Sequence, residues 1–219
     1  MSRDWFDYFK RQGIDSFPSF VYDYYSFRQP TVGYVKKHVP EGGSILEIGC
    51  GSALLVILLS SMGYDVSGID SDPRVVEMAR YNNQRLGGQA RIELMDLFDA
   101  PQRMRCVFDL AYSEGVIEHF RGEKLKEAVK AHGKLGKKVL LVVPSRHDPL
   151  VTDQDTYSFR GLEDLCKSVG LMPIDRFALG TGLIKWSRLL LPPIVLKRIL
   201  GRLVKCENIA VVCRSPWYI

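Results

Sequence analysis

The sequence predicts an α/β fold in which strands alternate with helices around a mostly parallel sheet. Three observations support this. A short apolar run ends in a glycine turn and is followed at once by an apolar helix, over residues 44–59. The same alternation of strand and helix patterns continues to residue 143. The stretch 139–143 is wholly apolar, which is typical of a strand in the middle of a parallel sheet.

Length and composition indicate one globular domain over residues 1–219, with 46% hydrophobic and 25% charged residues. The net charge of +5 is mild and does not indicate a nucleic-acid partner. The five cysteines are scattered without a C-x-x-C pair, so we expect no metal site and a reducing compartment, the cytoplasm. No run reaches the ~18 apolar residues of a membrane-spanning helix.

The segment 1–43 is rich in aromatic side chains, with ten of them in its first thirty residues. They either plug one edge of the core or form a lid that excludes water from a ligand. Tyr24, Tyr25 and Arg28 are the candidates for a lid that contacts substrate. A helix is predicted over 29–38, with Pro30 in its first turn, and 40–43 breaks the chain before the first strand.

The first strand pattern, 44–48, leads into a tight turn with Gly49 and Gly51. Glycines let a backbone approach a nucleotide closely, and the following helix start offers free N–H groups. Two details argue against a dinucleotide site. The third glycine of G-x-G-x-x-G is absent, because Leu54 stands there, and the acid Glu47 precedes the turn. A carboxylate at that position suits a positively charged ligand.

A buried helix over 54–62 and a strand over 65–69 come next, and Asp70 ends the strand. An acid about twenty residues after the glycines can accept hydrogen bonds from both hydroxyls of a ribose. Its alternative role is to cap the next helix, predicted over 73–86. Ser71 or Asp72 can cap that helix, which leaves Asp70 for a ligand.

The E-x-G-x-G pattern of residues 47–51, followed by Asp70, resembles the class I S-adenosylmethionine-dependent methyltransferases. The stretch 113–120, Ser-Glu-Gly-Val-Ile-Glu-His-Phe, is similar to a second pattern common in the members that act on small molecules. The resemblance implies S-adenosyl-L-methionine as cofactor. It implies a cofactor-binding set of Glu47, Gly49, Cys50, Gly51, Asp70, Ser71, Asp96, Leu97, Ser113 and Glu114.

The resemblance implies that the glycine turn holds the methionine end of the cofactor. It also implies that Glu47 supports either the turn or the ammonium group of the cofactor. A strand is predicted over 90–94, and Asp96 after it corresponds to the acid that binds the adenine amino group. Met95 and Leu97 would pack on the ring. The alternative for Asp96 is a solvated turn aspartate.

The next strand pattern, 106–112, places Ser113 and Glu114 at a strand end, beside the sulfonium group that the resemblance implies. His119 follows, at the expected start of the next helix. It is a candidate general base, or it orients the neighbouring loops. A helix over 123–135 and a strand over 137–143 then lead to His147 and Asp148. His147 is a candidate catalytic residue, and Asp148 is a candidate substrate contact. The alternative is that both belong to an ordinary turn.

The C-terminal part predicts a helix over 157–170 and strands over 171–179 and 208–213, with 215–219 against the edge of the sheet. An insert over 180–206 separates the two strands. Its stretch 183–205 carries six lysines and arginines, no acid and many aliphatic residues. It either packs on the core, or forms a basic amphipathic hairpin that rests on an anionic membrane or closes over a lipid-like substrate.

The resemblance covers about residues 40–214 and implies a three-layer Rossmann-like fold with a core over 44–214. Its seven-stranded sheet would have the order 3-2-1-4-5-7-6, with strand 7 antiparallel. The predicted function is methyl transfer to a small molecule, including lipid- or quinone-like acceptors, and the oligomeric state is left open. The alternatives are a protein or nucleic-acid methyltransferase, or a non-catalytic cofactor-binding protein. Tyr112-Ser-Glu-Gly115 stands where protein and nucleic-acid enzymes carry N-P-P-[YF] or D-P-P-[YF].

Overall fold

Seven strands form one sheet in the order β3-β2-β1-β4-β5-β7-β6, as the resemblance implied. The computed structural model describes residues 4, 6–7, 28–104, 107–145, 156–179 and 208–218. The insert 180–206 and the candidates Tyr24, Tyr25, His147 and Asp148 lie outside these ranges. The strands are β1 Ser44–Ile48, β2 Asp65–Asp70, β3 Arg91–Leu94, β4 Phe108–Glu114, β5 Gly136–Pro144, β6 Met172–Leu179 and β7 Asn208–Arg214.

Strands β1 to β5 run parallel, and β7 is antiparallel to both of its neighbours, β5 and β6. The predicted strand order and the antiparallel β7 are therefore confirmed. Because β1, β2, β3 and β4 are parallel neighbours, their carboxyl ends meet at one edge of the sheet. We call this edge, with the loops that follow β1 to β4, the cofactor edge.

The helices connect the strands in the predicted order. They are α1 Gln29–His38, α2 Leu54–Ser61, α3 Pro73–Arg85, α4 Ala100–Arg103, α5 Gly122–Leu135 and α6 Phe159–Ser168. Asp72 caps α3 by accepting a bond from the Arg74 amide, and Ser158 caps α6 in the same way through Gly161. These caps satisfy amide groups that a helix start leaves without partners. None of the helices in the described ranges is long and apolar enough to cross a membrane.

The helices cover both faces of the sheet, and the alternation along β5 shows how. Leu140 and Val142 join a cluster with residues of α1, α2 and α3 on one face. Val139, Leu141 and Val143 point to the other face, where they pack with residues of α5 and α6. Both faces of β5 are thus buried, which explains why its sequence is a continuous apolar run.

Three local features differ from the sequence predictions. The short helix α4 had no prediction. Glu118 and His119 belong to a separate 3₁₀ turn, Ile117–His119, because Phe120 and Arg121 have extended backbones that keep it apart from α5. The C-terminal residues pack on α5 instead of the edge of the sheet. The Ser215 hydroxyl donates to the carbonyl of Gly133 at 2.8 Å, and the ring of Trp217 lies over Gly133.

Candidate functional site

Acidic side chains from neighbouring strands meet at the cofactor edge. Glu47 lies near the end of β1, Asp70 ends β2, Glu114 ends β4, and Asp96 follows β3. Burial raises the pKa of Glu47, the charges of Glu114 and Asp70 add to this effect, and a nearby cation opposes it. Their convergence therefore favours a ligand that brings positive charge or several hydroxyl groups.

The glycine turn after β1 is clamped between β2 and the loop after β4. The amides of Gly49 and Cys50 both donate to the carbonyl of Ile69, at 2.8 and 3.0 Å. Gly49 has a φ of +70°, and a Cβ built there would lie 2.5 Å from Cγ2 of Val116. A side chain is thus excluded at Gly49 by backbone conformation and by space together. The turn leaves backbone, not side chains, facing the edge.

Ala53 occupies the place where a third glycine often stands in the class that the sequence resembles. It has a φ of +62°, and it is the one residue other than glycine with a positive φ in the described ranges. Ala53 precedes α2, and no side chain caps that helix. The first amide groups of α2 therefore remain available to a ligand.

Asp70 links the glycine turn to the start of α3. Its Oδ2 accepts a bond from the amide of Gly51 and its Oδ1 one from the amide of Asp72, both at 3.1 Å. The helix cap is supplied by Asp72, so the alternative role for Asp70 is taken by its neighbour. Burial raises the pKa of Asp70. Each carboxylate oxygen keeps a second lone pair for a ligand hydroxyl. Ser71 is exposed beside it.

The loop after β3 joins the same edge, because the Met95 amide donates to the carbonyl of Asp70 at 2.9 Å. Asp96 is exposed, and its Oδ1 accepts a bond from the amide of Phe98 at 2.8 Å. This contact is that of a turn aspartate, but it leaves the other carboxylate oxygen for a ligand. The side chains of Met95 and Leu97 are buried in the core next to it.

Glu47 is buried at the foot of the glycine turn, next to Tyr112 on β4. The Tyr112 hydroxyl donates to Oε2 of Glu47 at 2.7 Å. Burial is the main cause that raises the pKa of Glu47 to about 8, and the nearby charge of Arg28 acts in the opposite direction. At neutral pH this carboxyl is therefore mostly protonated, and a cation bound beside it would favour its ionised form. No pattern in the sequence indicates that Tyr112 is its partner.

Glu114 and Ser113 point to opposite faces of β4. Glu114 faces α1, where Arg28 and Thr31 hold its two oxygens. The Ser113 hydroxyl lies beneath α5 instead, 2.9 Å from Nε2 of His132. Of the two side chains, only that of Glu114 faces the N-terminal segment.

His132 is fully buried on α5, and its Nδ1 lies 2.8 Å from the carbonyl oxygen of Ala128. A carbonyl only accepts, so Nδ1 carries the hydrogen and Nε2 accepts from the Ser113 hydroxyl. Burial lowers the pKa of His132 to about 4, which keeps the ring neutral at physiological pH. His132 and Ser113 thus fix the underside of β4 near its end. His132 lies within the helix predicted over 123–135, but no sequence pattern indicates its partner.

His119, the candidate general base, is exposed on the 3₁₀ turn, whereas its neighbour Glu118 is buried with 2% of its surface accessible. Burial raises the pKa of Glu118 to about 8. Its Oε2 has no hydrogen-bond partner within the described ranges. The structure therefore turns inward a neutral carboxyl group that sequence reasoning had overlooked, next to the Gly115 turn that follows β4.

Glu118→Gln is expected to flatten the loss of stability at alkaline pH. A group whose pKa is raised by folding stabilises the protein below its unfolded pKa, and this contribution is lost as pH rises through the folded value. Between pH 6.5 and 8, Glu118 and Glu47 both act in this way. His132 acts in the opposite direction near pH 6.5, where the unfolded imidazole still binds protons, but this contribution is the same in the wild type and the variants. Urea unfolding across that window should give a pH slope smaller by about 1.4 kcal/mol per pH unit in the variant. The exposed Glu127→Gln is the matched control, and an equal slope in all three proteins would contradict the assignment.

The described residues before α1 also reach the cofactor edge. Asp4 forms an ion pair with Arg74 at 3.1 Å, and the ring of Phe6 lies 5.5 Å from the same guanidinium. Arg74 is the second residue of α3, just beyond Asp70 and Asp72. Together with Arg28 on Glu114, these contacts place both described ends of the N-terminal segment at this edge.

Comparison with known proteins decides the family. Residues 45–137 match the family described as "Methyltransferase domain". Residues 45–137 are a methyltransferase domain with the class I fold. The matched range runs from β1 to the start of β5 and contains every described residue of the predicted cofactor-binding set. The family prediction made from the E-x-G-x-G pattern is therefore confirmed.

Two curated relatives of the methyltransferase domain are named ribosomal protein L11 methyltransferase. The protein from Thermosipho africanus is 36% identical over 113 residues, which are 51% of this chain and 40% of the relative. The one from Paraburkholderia xenovorans is 42% identical over 64 residues, 29% of this chain and 21% of the relative. The chain spans less than half the length of the curated relatives it matches.

Solved structures share the fold over most of the chain. Magnesium protoporphyrin IX methyltransferase from Synechocystis, solved with bound SAM, has a TM-score of 0.63 at 15% identity and covers 86% of this chain and 77% of its own. The PH0226 protein from Pyrococcus horikoshii has a TM-score of 0.70 at 13% identity, with 98% and 100% covered. At such identities the likeness shows the fold.

The residues of the methyltransferase domain fit an adenosyl cofactor. The amides of Gly49, Cys50 and Gly51 are bonded to Ile69 and Asp70, which holds the turn in one conformation. The uncapped start of α2 beside it leaves its first amide groups for a ligand. Asp70 is held in place by two amides and keeps free lone pairs, as a ribose-binding acid requires. The buried acid Glu47 suits a ligand with a cationic end.

Proposed function

We propose that this protein is an S-adenosylmethionine-dependent methyltransferase that acts on a small molecule. The observation that carries the proposal is the arrangement of Glu47, Asp70 and Glu114 around a glycine turn that is clamped against β2 and the loop after β4. The family match of residues 45–137 supports the activity and the cofactor.

The cofactor brings an already activated methyl group, so the protein mainly has to align the acceptor and exclude water. In the proposed arrangement Gly49, Cys50 and Gly51 bind the methionine end through backbone. Asp70 binds the ribose, and Asp96 with Leu97 binds the adenine. Glu47 and Glu114 supply the negative charge that favours a sulfonium cation. The N-terminal segment, with Tyr24, Tyr25 and Arg28, is the proposed lid.

The small-molecule acceptor is supported by the residues that end β4. Tyr112 is buried against Glu47, and Ser113 is turned under α5, so neither offers an exposed polar group to a flat base or an amide. The second candidate is a protein acceptor. It is favoured by the name of the curated relatives, ribosomal protein L11 methyltransferase. His147 and Asp148 remain the proposed substrate-side residues for either acceptor.

A thermal-shift measurement tests the cofactor. S-adenosylmethionine and S-adenosylhomocysteine at about 100 times their Kd should stabilise the folded protein by about 2.7 kcal/mol, a shift of several degrees. NAD at the same concentration should leave the melting temperature unchanged, because the turn lacks the third glycine of a dinucleotide site. Silence with both adenosyl ligands would refute the proposed function, and a shift with NAD alone would favour the non-catalytic alternative.

A further inference from the structure

Arg28 joins α1 to the cofactor edge. Its Nη1 lies 2.5 Å from Oε2 of Glu114, with 22% and 16% of the two side chains exposed. Thr31, one turn further along α1 and fully buried, donates its hydroxyl to Oε1 of Glu114 at 2.9 Å. Both oxygens of the acid that ends β4 are thus held by α1. Paired, half-buried charges of this kind interact more strongly than exposed pairs.

The same guanidinium also acts on Glu47. The groups that face Glu47 are Arg28 from α1, Tyr112 and Glu114 from β4, Asp70 from β2 and Cys50 from the glycine turn. Arg28 carries the positive charge in this set, and the other groups are acidic or neutral. Tyr112 holds Glu47 in place through its hydroxyl, 2.7 Å from Oε2. The state of Glu47 therefore depends on a residue that lies outside the glycine turn and on another element.

We propose that Arg28 is a positioning residue that acts through Glu114 and Glu47 and sets the charge that the cofactor edge presents to a cationic ligand. The proposal rests on the proposed function for the identity of that ligand. It assigns to the N-terminal helix an electrostatic role in cofactor binding, in addition to any role as a lid.

The physical consequence has a defined sign. Without Arg28, Glu47 loses the positive charge that favours its ionised form and keeps Glu114 as an acidic neighbour, so its ionised form becomes less favourable. Without the charge of Glu114, the opposite follows, because one repulsive neighbour is gone and Arg28 remains. Arg28→Met and Glu114→Gln should therefore move the titration of Glu47 in opposite directions. A role of Arg28 in packing alone predicts no such pair of shifts.

The titration of Glu47 can be followed by carbon NMR of its side-chain carboxyl in the full chain, with Glu47→Gln to assign the signal. We expect the midpoint to rise by roughly 1 pH unit in Arg28→Met and to fall in Glu114→Gln. Arg28→Lys, which keeps the charge, should restore most of the wild-type midpoint. Arg91→Met, which removes the exposed ion pair with Asp65 at the outer edge of the sheet, is the matched control. Unchanged midpoints, or shifts of the same sign, would overturn the proposal.

A second measurement concerns the ligand. Calorimetry in buffers of different ionisation enthalpy counts the protons released when S-adenosylmethionine binds. Because the ligand titrates equally in each experiment, the difference in proton release between two proteins reports only on the protein. At pH 8, where about half of the wild-type Glu47 is protonated, Arg28→Met should release more protons than the wild type, because more of its Glu47 is protonated before binding. Equal release would overturn the proposal. If neither protein binds the cofactor, the proposed function fails, while the NMR shifts still test the link between Arg28 and Glu47.

Discussion

Replacing Gly49 with alanine is expected to lower the free energy of unfolding by about 2–5 kcal/mol. About 1–2 kcal/mol comes from placing a side chain at a left-handed backbone, since φ is +70° there. A further 1–3 kcal/mol comes from overpacking, because the new Cβ would lie 2.5 Å from Cγ2 of Val116. The Val116 backbone is fixed by the turn after β4, so little relaxation is available.

Two other glycines separate these contributions. Gly63 has a φ of +91° and nothing within 4 Å of a built Cβ, so Gly63→Ala measures the backbone cost alone. Gly33 lies inside α1 with open space and no positive φ, so Gly33→Ala should stabilise by about 0.5–1 kcal/mol. Urea unfolding of all three variants gives the comparison. Adding Val116→Ala to Gly49→Ala should recover the steric part only. A Gly49→Ala cost no larger than that of Gly63→Ala would show that the turn is not clamped as described.

The part of the site predicted from sequence is the part encoded over short distances along the chain. A strand end, a glycine turn and a helix cap occupy neighbouring residues, so Gly49, Asp70 and the cap at Asp72 follow from local patterns. Parallel strands then bring separate strand ends to one edge without further information. The alternation of strands and helices followed from the same reasoning, whereas the strand order and the antiparallel β7 were implied by the resemblance.

The part that sequence reasoning missed depends on contacts between distant residues. Arg28 and Glu114 are 86 positions apart, and Tyr112 and Glu47 are 65 apart. Neither pair leaves a periodic pattern, because the partner is chosen by which helix packs over which strand end. The buried bond between Ser113 and His132 has the same origin. A buried histidine on an apolar helix face was a visible signal, but its partner was not.

Glu118 and His119 show how a small change in helix geometry reverses an assignment. Adjacent residues on a helix point about 100° apart, so only one of them can face the core. The sequence favoured His119 because imidazole titrates near neutral pH. The 3₁₀ turn that contains both residues is separated from α5 by two extended residues, and it turns Glu118 inward and His119 outward. The buried side chain of this turn is therefore the Glu118 carboxyl group, whose pKa burial raises to about 8.

Asp70→Ala is expected to weaken cofactor binding by about 2–4 kcal/mol, a loss of roughly thirtyfold to a thousandfold. The carboxylate is anchored by the amides of Gly51 and Asp72, so it is held in place before a ligand arrives. Two charge-assisted hydrogen bonds to a ribose account for a loss of this size. Titration calorimetry with S-adenosylhomocysteine measures it. Asp65→Ala, at the exposed opposite end of the same strand, is the matched control and should leave the affinity unchanged.

Asp70→Ala also removes the partner of the Gly51 and Asp72 amides, which loosens the glycine turn. A second ligand distinguishes this effect from the loss of a contact with the ribose. Methylthioadenosine keeps the ribose and lacks the amino-acid end that the turn is proposed to bind. If Asp70 binds the ribose, methylthioadenosine and S-adenosylhomocysteine should lose affinity by the same factor. If the variant only loosens the turn, S-adenosylhomocysteine alone should be affected, and Asp70 would then be a support for Gly51 instead of a ligand contact. An unchanged affinity for both would remove Asp70 from the site.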